Sequence, residues 1–314
     1  MPAAISSRLG GNRDTLGRIA PVELPELSPW AAMIFAGLAG LVVGSFLNVV
    51  AHRVPIMMER TWRRHCAELA RQPPPDMPTA ESAFNLWTPR STCPGCSTAI
   101  AVRHNIPLLG YAILRGRCAH CGGAIALRYP IVEAAAGVLG VTVVWVFGPT
   151  WHAAAALPLA WALLVLSVID SERQQLPDAL TLPLMWAGLL LSLVRVNGGV
   201  LFTDIGSSVI GAAAGYLCLW TVYHVFRLLT GKEGIGYGDF KLLAALGAWL
   251  GWQALPLIIL LSAAAGASVG IAGVLLLGRP RDLPIPFGPF LAAAGLVTLL
   301  WGEDLVDRYA RFFL

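Results

Sequence analysis

Charge is scarce in this chain. Only 13% of its 314 residues are Asp, Glu, Lys or Arg, where a water-soluble domain carries about a quarter, so an ordinary soluble fold is excluded. No His-Glu-x-x-His occurs, which sets aside the zinc-peptidase arrangement of two histidines on one helix face. No A-x-A site follows the first apolar run, so that run reads as a retained span and not as a cleaved signal. Tandem repeats are also missing. The proline-rich "QPPPDMP" at 72–78 stands out as a stiff surface connection.

What the chain has in abundance is apolar residues, 56% of the total, gathered into uncharged runs over 30–51, 134–169, 179–194, 205–226, 242–278 and 283–302. The run at 134–169 has 36 residues and as one helix would reach about 54 Å, against a hydrocarbon core of about 30 Å. It must be two spans, broken at Gly148-Pro149. The run at 242–278 breaks in the same way near Gly251-Trp252-Gln253. An all-α polytopic membrane protein with about eight transmembrane helices follows, the sixth of them short, and a lipid bilayer is its expected surrounding.

The segments on one side of such a bundle, 52–133, 170–178, 227–241 and 279–282, hold 16 of the 22 Lys and Arg residues. Basic loops stay inside, so this side is expected to be cytoplasmic and both termini outside. The net charge of +4 then reflects topology, and no nucleic-acid partner is expected. The expected organisation is an outer tail at 1–29, a first span at 30–51, a cytoplasmic segment at 52–129, a seven-helix membrane domain at 130–302 and a C-terminal tail at 303–314.

About eighty water-facing residues fold only marginally around their own core, and the cysteines offer a staple. Cys93 and Cys96 in "TCPGC", with Cys118 and Cys121 in "RCAHC", form a C-x2-C…C-x2-C array. Two such knuckles can place four thiolates around a structural zinc ion, as in a zinc ribbon, and a reducing compartment disfavours disulfides. Redox-active pairs or unligated thiols are the other readings. Cys66, Cys218 and His120 read as ordinary residues.

Topology puts two carboxylates at one membrane face. Asp170 ends the third span, and Asp239 follows the turn "GIGYGD" at 234–239 to begin the short sixth helix; Asp178 lies in the loop between spans three and four. Two aspartates about 3 Å apart cannot both ionise, so they share a proton. The ionised member then draws a proton from an attacking water while the other donates to a peptide carbonyl. Gly236 and Gly238 let the backbone turn sharply and let a substrate strand approach, and non-helical backbone at this depth is tolerated where it lines a wet cavity. Structural readings remain beside this one: Asp170 and Asp178 as marks of a helix end and an interfacial loop, and Asp239 as the N-cap of its helix.

"GYGD" matches the G-x-G-D signature of intramembrane aspartyl proteases. The wider "GKEGIGYGDFKLLAALGAWLG" resembles the bacterial type IV prepilin peptidases (leader peptidase/N-methyltransferases). "GSFLNVVAHRVP" at 44–55, the two cysteine pairs, "NIPLLGY" at 105–111, "YPIVE" at 129–133 and "IDSERQQLPDALTLPLMWAGLL" at 169–190 agree in order, so the likeness covers most of 44–251. The resemblance implies that Asp170 and Asp239 are the catalytic aspartates, with Asp178 at most supporting. It implies removal of the basic leader from prepilins and type II secretion pseudopilins at the cytoplasmic face of the bacterial inner membrane, after a glycine. N-methylation of the new N-terminus from S-adenosylmethionine would follow, linked to the cysteine segment and to Gly116. One departure is visible: His104 stands where the family usually has Asp before Asn-Ile-Pro.

Other residues read as structural. Asn48 is expected to bond another helix, Arg53 to snorkel at the boundary, and Glu133 to meet an arginine of the cytoplasmic segment or a cofactor. Gly40/Gly44, Gly211/Gly215 and Gly266/Gly270 are spaced for close helix packing. Two other classes compete with the peptidase. A proton-coupled transporter would also use membrane carboxylates, but the aspartates lie at one face and no inverted repeat is visible. A zinc-stabilised adaptor leaves "GIGYGD" unexplained.

Overall fold

The computed structural model describes residues 28–70, 84–196, 198–232, 234, 236–278, 280 and 285–313. Nearly all of the N-terminal tail, the connection at 72–78 and Ile235 of the glycine turn lie outside the described residues. In chain order the helices are α1 (Pro29–Leu69), α2 (Leu109–Ile113), α3 (Arg128–Phe147), α4 (Trp151–Arg173), α5 (Asp178–Leu191), α6 (Ile205–Thr230), α7 (Tyr237–Leu250), α8 (Leu255–Leu277) and α9 (Gly288–Phe313). A 3-10 turn at Val102–Asn105 precedes α2, and a short antiparallel ribbon, β1 (Arg195–Val196) with β2 (Gly199–Val200), precedes α6.

Apolar helices stand at all eight expected places, but eight full spans are not supported. Among the described residues, five are long and apolar enough to cross a membrane: α1, α3, α4, α6, and α8 with the 3-10 turn Trp252–Ala254 before it. The apolar part of α9, Gly288–Gly302, and the helix α5 are shorter. The 14 residues of α7 reach about 21 Å, short of the hydrocarbon core. A short helix can sit in such a bundle if it is wrapped, and α7 is: from Asp239 to Trp249 every residue except Lys241 is buried.

Both expected breaks are present. Gly148 caps α3 with a positive φ of 68° and Gly251 caps α7 with a φ of 82°, conformations that cost a side chain dearly. Two expected boundaries shift. The first helix does not stop at residue 51 but runs to Leu69, where Arg63 pairs with Glu59 one turn earlier. The uncharged run marks where the apolar part ends, not where the helix does. Likewise the residues expected as a C-terminal tail continue α9, past a kink at Trp301.

Glycine seams set the packing. A Cβ on Gly40 would lie 2.4 Å from the Ala136 carbonyl oxygen, and one on Gly44 2.7 Å from Glu133 Cα, so α1 and α3 touch backbone to backbone. On α6, Gly211 and Gly215 press in the same way on Gly247 and Leu243 of α7. The third expected pair is different: Gly266 and Gly270 would make only ordinary contacts, at 3.5 Å with Phe290 and 3.4 Å with Ile285. Asn48 on α1 does bond another helix, donating to the Tyr129 carbonyl in the first turn of α3 at 3.1 Å. Arg53 is not a solvated anchor. It is buried and donates to the carbonyls of Asn85 and Pro89 at 2.7 and 2.6 Å, clamping the polar segment onto α1.

Gly211→Ala should force α6 from α7 and cost about 1–3 kcal/mol, the usual penalty of overpacking. Gly266→Ala should be neutral or slightly stabilising. Thermal unfolding of the two purified variants in detergent checks the contrast.

Candidate active site

Asp170 and Asp239 come from helices far apart in sequence, and the fold brings them together. Asp170 lies in the last turn of α4 and Asp239 in the first turn of α7. Both are buried and within Coulombic reach of each other. Each is held by a backbone donor. The Gly236 N–H donates to Asp239 Oδ2 at 3.2 Å, and the Gly288 N–H, from the start of α9, donates to Asp170 Oδ2 at 3.0 Å. Asp239 Oδ1 is buried with no hydrogen-bond partner among the described residues, an expensive state for a carboxylate oxygen unless it has work to do.

Asp239 is not the N-cap of its helix. Gly236 holds that position, and Asp239, three residues on, folds its carboxylate back to the cap N–H. This is half of a capping box, with glycine where a serine or threonine would complete the other half. Gly236 has φ −77° and ψ 146°, extended backbone open to any residue. Gly238 is required by a neighbour: a Cβ there would lie 2.6 Å from Leu176 Cβ, in the loop between α4 and α5. That close approach is made by the protein's own chain.

Asp178 stands apart from this pair. It opens α5, is exposed, and pairs with Lys241 Nζ at 2.6 Å, tying α5 to α7 two residues beyond Asp239. Arg128 and Glu172 make a similar tie, at 2.5 Å, between the start of α3 and the end of α4. Gly288, Lys241 and Arg128 do not stand out in the sequence. Gly288-Pro289 does signal a helix start, but nothing local shows that its N–H points at a residue 118 positions away.

The four cysteines converge. Their sulfurs lie within 4.8 Å of one another, with Cys93 and Cys121 at 3.8 Å; Zn–S bonds of about 2.3 Å in a tetrahedron give edges of about 3.8 Å. The two knuckles repeat one hairpin: the Cys93 carbonyl accepts from Ser97 and the Cys93 N–H donates to Thr98, as Cys118 does with Gly122 and Gly123. Ser97 and Gly122 both take positive φ. The N–H groups of Cys121 and His120 hold the Cys118 thiol down to about 6. Cys121 is pushed up to about 11, against the Gly123 N–H, by the neighbouring Cys118 and Cys93 sulfurs. Such a cluster of shared charge fits a divalent cation.

Gly116, in the turn between α2 and the second knuckle, has a φ of 70°, and a Cβ there would lie 2.8 Å from the Tyr111 hydroxyl. His104 lies in the 3-10 turn before α2, and its carbonyl oxygen would be 2.2 Å from a Cβ on Gly110. Glu133, buried in the second turn of α3, meets no arginine among the described residues; its Oε2 accepts from the Leu108 N–H at 2.9 Å. That bond secures Leu108 at a φ of 57°.

Comparison with known proteins matches both halves of this arrangement. The Bacterial Peptidase A24 N-terminal domain matches residues 38–147, and the Type IV leader peptidase family matches 157–271. A protein of Aeromonas hydrophila is 50% identical over 293 residues, covering 93% of this chain and 99% of its own length. One of Stutzerimonas stutzeri is 49% identical over 294 residues (94% and 99%), and one of Pseudomonas aeruginosa 49% over 285 (90% and 95%). The chain belongs to the type IV leader peptidase family. All three relatives are named prepilin leader peptidase/N-methyltransferase. No solved structure matches the chain significantly. The first family match holds the cysteine cluster and Glu133, and the second holds both buried aspartates.

An exposed ion pair contributes about 0–1 kcal/mol. Asp178→Asn should therefore keep the protein folded and leave its proteolytic rate within a few-fold of wild type, measured beside Asp170→Asn in the same preparation.

Proposed function

We propose that this protein is a membrane aspartyl endopeptidase that removes the basic leader from prepilins and secretion pseudopilins, and then methylates the new N-terminus. One observation carries the first activity: two buried carboxylates, on α4 and α7, within Coulombic reach and each fixed by a backbone N–H. The relatives' shared name carries the second. The bias of Lys and Arg toward the side of 52–133 supports a cytoplasmic active site in the inner membrane.

The mechanism follows from the pair. One carboxylate, ionised, accepts a proton from water as the water oxygen attacks the peptide carbonyl. The other, protonated, donates to the carbonyl oxygen. Collapse of the tetrahedral intermediate breaks the C–N bond: the proton held by the first carboxylate goes to the leaving amine, and the hydroxyl returns its proton to the second carboxylate as the new carbonyl forms. The pair ends with one proton between them, as it began. Burial keeps bulk water from screening this exchange, and the two backbone donors fix the carboxylates without adding a competing charge.

Cys93, Cys96, Cys118 and Cys121 would hold a structural zinc ion, closing the segment that carries Gly116 and Glu133. Four thiolates leave no open position on the metal, so its contribution is the fold of the segment. S-adenosylmethionine would supply the methyl group for the amine that cleavage releases.

Asp170→Asn and Asp239→Asn should each lower cleavage of a prepilin in liposomes by about 10²–10⁴-fold or more with thermal stability retained. Full cleavage by either would remove that residue from the chemistry. Metal analysis of the purified protein should find one zinc ion per chain, and Cys93→Ser should lose it together with methyl transfer. A metal-free wild type active in both reactions would contradict the zinc assignment.

A further inference from the structure

The start of α9 does more than begin a helix. The first N–H groups of any helix lack partners within it, and here each has a defined fate. Those of Phe290 and Leu291 both reach the Phe287 carbonyl at 3.1 Å, and Pro289 has none. That leaves Gly288, whose N–H goes to Asp170 Oδ2 at 3.0 Å in a buried setting. Asp170 therefore caps α9 from another helix, and the positive end of the α9 dipole faces its carboxylate.

The fit also explains why residue 288 is glycine. A Cβ there would lie 2.7 Å from Asp170 Oδ2, 3.0 Å from its Cγ and 3.3 Å from its Cβ. Neither backbone has room to retreat. Leu291 and Ala292, one turn along α9, are completely buried, Phe287 packs on the same core, and Ile169 beside Asp170 is also completely buried. A methyl group at 288 must therefore displace the carboxylate itself.

We propose that Gly288 is a positioning residue of the peptidase: its N–H and its missing side chain together set the place of the Asp170 carboxylate opposite Asp239. The active site is then built from three helices, α4, α7 and α9, not from the two that carry the aspartates. This rests on the peptidase reading above. The same contact clarifies Asp170→Asn, since an asparagine oxygen can still accept from Gly288. That substitution removes the charge and keeps the cap, whereas Gly288→Ala keeps the charge and moves it.

The test compares Gly288→Ala with wild type and with Gly270→Ala, a neighbouring glycine where a Cβ meets only Ile285 at 3.4 Å. Cleavage of a prepilin in liposomes and methylation of an already cleaved pilin are measured on each. A carboxylate misplaced by about 1 Å costs about 10²-fold in rate. Gly288→Ala should therefore lose about 10²-fold in kcat for cleavage with KM within about threefold, and should methylate normally. Gly270→Ala should resemble wild type in both reactions. Cleavage by Gly288→Ala within threefold of wild type overturns the proposal, as does a parallel loss of methylation in a protein of normal stability.

If Gly288→Ala unfolds, stability itself becomes the readout. Asp170→Ala removes the clash, so Asp170→Ala/Gly288→Ala should regain the Tm of Asp170→Ala alone. No recovery overturns the proposal. Failure of the wild type to cleave at all would instead sink the peptidase reading, which keeps the two outcomes distinct.

Discussion

A carboxylate at the edge of a hydrocarbon layer must be hydrogen-bonded or it will be driven out. This protein places two such groups within Coulombic reach of each other, and much of its structure follows from keeping them there. Neutralising them with lysine or arginine would quench the acid–base chemistry proposed for the pair. Backbone N–H groups instead give hydrogen bonds without charge, and helix starts are where free N–H groups are found. Asp239 accordingly folds back on the start of its own helix, and Asp170 borrows the start of another.

The packing serves that arrangement. A 14-residue helix gains little from its own hydrogen bonds, so α7 is fixed by what surrounds it. Backbone contact at Gly211 and Gly247 brings α6 onto one flank. Trp249 donates from its indole to the Leu184 carbonyl of α5 at 2.7 Å on another. Near the site, Tyr237 of the glycine turn lies against Tyr223 and Phe240, with ring centroids 5.2 and 5.4 Å apart. The cysteine segment is likewise joined to the membrane helices by backbone acceptors and donors, through Arg53 and Glu133. Charged side chains at the boundary are used as clamps on the backbone groups of the uncharged residues Asn85, Pro89 and Leu108.

Much of this was legible in the sequence, for a physical reason. Lipid forbids charge, so uncharged runs locate the helices, and thiolate spacing reports the cysteine cluster. The convergence of Asp170 and Asp239 on one face could be read from topology alone. Helix ends were not legible, because a helix such as α1 continues past the apolar stretch on ordinary polar pairing. Nor were the contacts of Gly238 with Leu176 or Gly288 with Asp170, which depend on how distant helices rotate against each other. Arg53 looked like a snorkelling residue because sequence shows its depth and not the loop folded over it.

The most direct test of two aspartates working as one unit is a double-mutant cycle on single-turnover cleavage, with Asp170→Asn, Asp239→Asn and the two combined. Residues that act together lose their effect together. The double variant should therefore be no slower than either single variant. Losses that multiply in the double variant would show two separate contributions and contradict a shared-proton pair.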